Sequence, residues 1–183
     1  MAERRSKTKP SWADVKEKLA EFDRPGLLDL IHDLYSANND NRNFLHTRFG
    51  LGENVLRPYK KNIKYWVAPD VFINQEISVS KGKQAISDYK KAIGDPQGLA
   101  ELMVFYCECV AHFSMEYGYA DEPYFDALVR MFEHALKLQS ELSADLQKSL
   151  LSRLESVCKI SHNFGYGVGD DMDYLLGEYG ERE

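Results

Sequence analysis

Apolar residues recur every three or four positions along most of this chain, which is the spacing of one face of an α-helix. The longest run holds Leu99, Leu102, Tyr106 and Val110, and it continues for about six turns to Gly118. No stretch alternates convincingly between apolar and polar residues at the period of a β-strand. The pattern therefore predicts an all-α protein.

Capping residues divide this pattern into roughly eight or nine helices joined by short turns. Ser11, Asp95, Asp121 and Ser143 each precede an apolar run, and their side-chain oxygens suit the free N–H groups of a first helical turn. Asp23-Arg24-Pro25-Gly26 breaks the first helix and starts the second. Short turns favour antiparallel neighbours, so we expect an antiparallel helix bundle or a short, solenoid-like stack of helix pairs. No sequence repeat is visible, which makes a true repeat protein the weaker alternative.

The chain has 183 residues, a usual size for one domain. Its first residues are charged, small or polar up to Pro10. This composition predicts a disordered basic N-terminal tail at 1–10, followed by a single helical domain at 11–183.

The sequence predicts a cytoplasmic protein with no membrane partner. No apolar run approaches the ~20 residues of a membrane helix, and the charged N-terminus has no apolar stretch of a secretory signal behind it. The three cysteines lack the spacing of a disulfide framework, which fits a reducing compartment.

The net charge of −6 hides an asymmetry along the chain. Residues 57–91 hold eight bases and three acids, whereas residues 92–183 hold six bases and seventeen acids. The acidic half argues against a protein that wraps nucleic acid, but the basic segment is a candidate anion or nucleic-acid patch. Its members are Arg57, Lys60, Lys61, Lys64, Lys81, Lys83, Lys90 and Lys91. Alternatively, these bases form a solvated face, while the aromatic residues between them pack in the core.

Gly165, Gly167 and Gly169 alternate with Tyr166 and Val168 and then meet three acids. Such glycines suit a phosphate-binding loop, but no strand precedes them and the acids would repel an anion. We interpret the segment as a tight turn that docks the last helix, with glycines allowing positive φ and close helix contact. Tyr166 and Val168 are then expected to pack inward.

Two acidic clusters near predicted helix starts form a candidate cation or ligand site if they converge. The ordinary alternative is that these carboxylates cap and stabilise the helix N-termini. The six residues are Asp121, Glu122, Asp126, Asp170, Asp171 and Asp173.

Two cysteine–histidine pairs have the spacing of one helix face. If their helices meet, Cys109, His112, Cys158 and His162 are weak candidates for a zinc site. Buried cysteine is also common core filling. No catalytic triad or cofactor motif is visible, so no catalytic residue and no cofactor is predicted.

Several segments resemble a family of small bacterial proteins known as domain of unknown function 6155. They include Tyr117-Gly118-Tyr119-Ala120-Asp121-Glu122-Pro123-Tyr124-Phe125 and the closing Gly165-Tyr166-Gly167-Val168-Gly169-Asp170-Asp171, together with residues 27–35, 89–91, 95–96, 102–106 and 131–138. The resemblance extends over nearly the whole chain from about residue 11. It implies an all-helical cytoplasmic protein and supplies no activity or catalytic residue.

The sequence is compatible with three functions. The preferred one is a protein–protein interaction or accessory module without catalytic activity, bound to a protein partner or to a second copy. The alternatives are a nucleic-acid-associated accessory protein that uses residues 57–91, and a divalent-metal-dependent enzyme that uses the acids near 121–126 and 170–173. We therefore expect a binding protein rather than an enzyme.

Overall fold

The structure is a computed structural model that describes residues 9–52 and 54–179. In these residues the chain forms nine α-helices and one 3₁₀ turn, with no β-strand, so the all-α prediction is confirmed. Residues 1–8 of the predicted tail lie outside the described residues. The helices are α1 (Trp12–Leu19), α2 (Arg24–Ala37), α3 (Asn39–Arg48), α4 (Arg57–Val67), α5 (Val79–Ala92), α6 (Pro96–Tyr117), α7 (Glu122–Gln139), α8 (Ala144–Ser161) and α9 (Val168–Tyr179), and the 3₁₀ turn is Val71–Ile73.

The predicted capping residues stand at the helix starts. The side chains of Ser11, Asp95 and Asp121 each accept a hydrogen bond from the backbone N–H three residues later. Asp23, at the predicted break between the first two helices, does the same for α2. Ser143 occupies the same position before α8 without a side-chain cap bond. These bonds satisfy first-turn donors that have no partner inside the helix.

The described residues fall into two compact units, 9–45 and 46–179. The first unit contains α1, α2 and the start of α3, and no residue of α1 or α2 is buried. Trp12, on the predicted apolar face of α1, is 69% exposed. A single domain over 11–183 stays a prediction.

The second unit is a bundle built around α6. This helix packs against α4, α5, α7 and α8, while α9 packs against α7 and α8. Twelve of the 22 residues of α6 are buried, as expected for a helix surrounded by others. Within the described part of the chain, no helix has the length and apolarity needed to cross a membrane.

Candidate functional site

A groove of about 530 Å³ lies beside α4 and contains half of the predicted basic patch. We call it the α4 groove, and its lining includes four bases and one acid. The bases are Arg57, Lys60, Lys61 and Lys64, the acid is Asp70, and the apolar lining includes Tyr65, Ile73 and Phe105. The groove therefore combines a positive rim with apolar side chains.

The sequence of α4 places bases beside this groove because its apolar residues are spaced to face the core. Tyr59, Ile63 and Val67 are buried, and the Tyr59 hydroxyl donates a hydrogen bond to Thr47 Oγ1 at 3.1 Å. The lysines between these positions are left on the other faces of the helix. The Val67 carbonyl accepts a hydrogen bond from the Tyr124 hydroxyl at 2.5 Å, which ties the end of α4 to α7.

The bases of the groove differ in how far their charge is neutralised. Lys60 Nζ lies 2.6 Å from Glu101 Oε1 and 5.0 Å from the centre of the Phe105 ring. Arg57, Lys61 and Lys64 form no ion pair with another described residue. Three positive charges are thus available to an incoming ligand.

The other four predicted bases lie on α5. Lys81 Nζ stands 3.8 Å from the centre of the Trp66 ring, a cation–π contact. Lys91 Nζ lies 3.5 Å from Asp88. Lys83 lines a separate depression near the starts of α5 and α7. The aromatic residues of the segment divide as well: Tyr59 and Tyr89 are buried, but Tyr65 is exposed.

Exposed apolar side chains continue from the groove into the 3₁₀ turn. Asp70 caps this turn by accepting a hydrogen bond from the Phe72 N–H at 2.9 Å, and Asn74 ends it with a φ of 55°. Phe72 is 89% exposed and Ile73 66%. Large apolar side chains that are exposed next to one another are typical of a binding surface.

A half-buried charge network links α4, α6 and α8 beside the groove. Arg153 bonds Glu108 through two nitrogens, at 2.7 and 2.8 Å, and it also bonds Glu101. Burial disfavours the Glu101 carboxylate, but hydrogen bonds from Arg153 and Lys60 outweigh burial and lower the pKa of Glu101. Charge counts alone did not predict this network, because its members are 41 to 52 residues apart.

A second cluster lies between α8 and α9, where Cys158, His162 and Asp173 come together. The Cys158 thiol donates a hydrogen bond to Asp173 Oδ1 at 3.1 Å, and His162 Nε2 lies 3.2 Å from Asp173 Oδ2. One ligand atom from each residue lies within 4.8 Å of the other two. Among the described residues, no other group of His, Cys, Asp and Glu is arranged this closely in a set of three or more.

The Cys158 thiol is not poised as a nucleophile. It is 3% exposed, and burial followed by the hydrogen bond to Asp173 raises its pKa to about 12. The same hydrogen bond is the main cause that lowers the pKa of Asp173. The cluster can hold a positive ion, whereas thiolate attack on a substrate requires a low pKa and access.

The glycine segment makes the contact between α8 and α9. Gly167 and Tyr166 have φ values of 71° and 62°. A side chain at Gly169 would lie 2.6 Å from His162 Nδ1, so close helix contact requires glycine there. Val168 is buried as predicted, but Tyr166 is 61% exposed and that expectation was wrong. Tyr166 has a left-handed backbone in the turn before α9, whereas Val168 is the first residue of the helix and is held against the core.

Among the described residues, the six predicted acids lie at different places and have different roles. Asp121 caps α7, Asp126 lies 3.9 Å from Arg130, and Asp170 and Asp171 lie in the first turn of α9 with their side chains exposed. Glu122 is likewise in the first turn of α7. Only Asp173 of the six joins a multi-residue cluster, so these six carboxylates do not assemble into one cation site.

The two cysteine–histidine pairs do not meet in one cluster of the described chain. Cys158 and His162 are brought together, but Cys109 and His112 are not part of their group. Cys109 is buried, and burial raises its pKa to about 12. His112 is exposed. The third member of the α8–α9 cluster is Asp173, which the spacing of cysteines and histidines does not reveal.

A depression of about 530 Å³ lies near the starts of α5 and α7. Its charged lining consists of Lys83, Arg130, Asp121 and Asp126. Two bases and two acids balance, and Asp126 and Arg130 are neighbours. This depression therefore has no charge preference of the kind seen in the α4 groove.

Comparisons with known proteins do not extend this description. The chain matches no protein-family model, no curated protein and no solved structure. The resemblance to the domain of unknown function 6155 family therefore stays a prediction.

Proposed function

We propose that this protein is an interaction module that binds an acidic, amphipathic segment of a protein partner in the α4 groove. One observation carries the proposal: three bases that form no ion pair with another described residue share a groove of about 530 Å³ with exposed apolar side chains. Acidic side chains of the partner would meet Arg57, Lys61 and Lys64, while its apolar side chains would cover Tyr65 and Ile73.

The two parts of the surface have different roles in such a complex. Burial of Ile73 and Phe72 against a partner supplies affinity at roughly 25 cal/mol for each Å² of apolar surface removed from water. The charges at the rim mainly raise the association rate and select an acidic partner. The exposed apolar residues of α1 and α2, such as Trp12 and Leu28, add to the surface that an accessory protein can offer.

A protein partner fits this surface better than nucleic acid. Lys60 pairs with Glu101 and Lys91 with Asp88, which reduces the charge left for phosphates. Lys81 keeps its charge but lies on the ring of Trp66. Nucleic-acid surfaces combine dense positive charge with stacking aromatics. In this groove the exposed residues beside the bases include the aliphatic Ile73, which suits a protein side chain.

We also place this interaction in the cytoplasm. Cys107, Cys109 and Cys158 are all free thiols and all buried, which suits a reducing compartment. The acidic half of the chain, net −11 from six bases and seventeen acids over 92–183, makes a second copy of the chain one possible source of the acidic segment.

The test is affinity capture with the full chain, comparing wild type with the double variant Lys61→Glu/Lys64→Glu. The matched control is Lys90→Glu/Lys91→Glu, which changes the net charge by the same amount outside the groove. We expect the wild type and the control to retain the same partner, and the groove variant to lose it. Cross-linking should place an acidic, amphipathic segment of that partner beside Tyr65 or Ile73.

Two further measurements separate the alternatives. Light scattering should show a dimer that the groove variant abolishes if the partner is a second copy. Capture that depends on nucleic acid, and disappears on nuclease treatment, would favour the nucleic-acid alternative. Equal retention of every partner by the groove variant and the control would refute the role of the groove.

A further inference from the structure

The α8–α9 cluster has the composition and compactness of a metal site. Cys158 lies in the last turn of α8, His162 is the C-cap residue of the same helix four positions later, and Asp173 lies on α9. We infer that Cys158, His162 and Asp173 bind one Zn²⁺ ion. The site shares no residue with the α4 groove and does not depend on the proposed function.

The distances are close to those that zinc requires. Zinc–ligand bonds of about 2.0–2.3 Å in a tetrahedron place the ligand atoms roughly 3.4–3.6 Å apart. The three ligand atoms here all lie within 4.8 Å of one another. His162 and Asp173 are exposed, so rotation of these two side chains is the movement that the proposal requires to reach bonding distances.

The donor set selects zinc among the common ions. Sulfur, imidazole nitrogen and carboxylate oxygen together are typical zinc ligands, whereas Mg²⁺ and Ca²⁺ prefer a shell of oxygen atoms. Zinc would take the place of the proton that Cys158 now shares with Asp173. Three protein ligands leave one of four positions for water, which is the arrangement of zinc sites with an exchangeable ligand.

The surrounding backbone orients the imidazole for this role. The Nδ1 side of His162 packs against Gly169, where a Cβ would lie at 2.6 Å. Nε2 faces Asp173 at 3.2 Å. The ligand nitrogen is therefore Nε2, and the contact with Gly169 limits how far the ring can turn away.

A purely structural role for the cluster makes a different prediction. Hydrogen bonds from Cys158 and His162 to Asp173 can join α8 to α9 without a metal, and such a clamp would show no affinity for zinc. Metal binding measured on the full chain separates the two roles. Only a metal site that includes Cys158 gives a thiolate-to-cobalt charge-transfer band when Co²⁺ is used in place of zinc.

The experiment titrates the chelator-treated full chain with Co²⁺ and then displaces the cobalt with Zn²⁺. We expect one cobalt per chain, visible d–d bands of tetrahedral type, a thiolate-to-cobalt charge-transfer band, and loss of all of them when zinc is added. Cys158→Ser should abolish the charge-transfer band. His162→Gln and Asp173→Asn, at exposed positions that tolerate substitution, should each weaken zinc binding by at least about tenfold.

Matched controls are Cys109→Ala, His134→Gln and Asp171→Asn, which change the same residue types outside the cluster. They should leave the cobalt spectrum and the stoichiometry unchanged. Binding without a charge-transfer band, equal binding by the ligand and control variants, or no binding at all would overturn the inference. Circular dichroism of each variant confirms that a lost signal does not reflect unfolding.

Discussion

At the scale of single residues, Gly169 decides how closely α9 approaches α8. Its Cα lies against His162 so tightly that a Cβ would be 2.8 Å from the His162 Cα atom. A backbone atom cannot move aside as the end of a flexible side chain can. Gly177, in the same helix, has nothing within 4 Å of the place that a Cβ would occupy.

We therefore predict opposite effects for two glycine substitutions in α9. Gly169→Ala should lower the free energy of unfolding by about 1–3 kcal/mol, since the new methyl group forces the two helices apart. Gly177→Ala should raise it by roughly 0.5–1 kcal/mol, because alanine favours the helix and meets no neighbour. Urea unfolding of both variants checks this, and equal effects would contradict the described contact.

The cysteines give a second prediction at this scale. Burial raises the pKa of Cys107 well above its usual range, and raises the pKa of Cys109 and of Cys158 to about 12. At about pH 8 the thiolate fraction of each is therefore very small. We expect a chromogenic disulfide reagent to react slowly with the native chain and promptly with three thiols in urea. A fast thiol in the native chain would show that one of them is accessible.

At the scale of helices, the Arg153 network joins three elements with opposite charges. Arg153→Met should lower the free energy of unfolding at neutral pH by about 1–3 kcal/mol, because two half-buried carboxylates lose their shared partner. Arg130→Met is the matched control. Its pair with Asp126 is long and exposed, so its effect should stay within about 0.5 kcal/mol.

The same network predicts how stability changes with acid. The pKa of Glu101 is lowered from its ordinary 4.5 in the folded chain, so its stabilising contribution is complete above about that pH. It is lost as the pH falls through the lower folded value. As the pH is lowered below about 4.5, the ordinary pKa of this carboxyl, we expect the melting temperature of the wild type to fall. The melting temperature of Arg153→Met should fall less over the same pH range. An equal drop in both proteins would mean that Glu101 is not the responsible group.

The helices could be predicted because each depends on residues that are close in sequence. The α8–α9 cluster could not be predicted, because it depends on contacts between residues that are distant in sequence. The caps Asp23 and Asp95 and the apolar spacing of α6 are local signals. Asp173 and Cys158 were both noted in the sequence, but in different sets, because only the docking of α9 brings them together. The Arg153 network was missed for the same reason.

At the scale of the whole molecule, the proposed association would bring acidic side chains of a partner, or of a second copy, onto the basic rim of the α4 groove. Salt weakens such contacts between exposed charges. The affinity of a groove partner for the wild type should therefore fall steeply as salt is added, and any residual binding by Lys61→Glu/Lys64→Glu should fall less.

The docking of α9 has a kinetic consequence. This helix packs mainly on α7 and α8, so it can detach in a local opening that leaves α6 and its neighbours folded. Each such opening would uncover Cys158 but not Cys107. The reaction rate of Cys158 would then measure how often α9 lifts from the bundle, and a zinc ion shared by α8 and α9 would lower that rate.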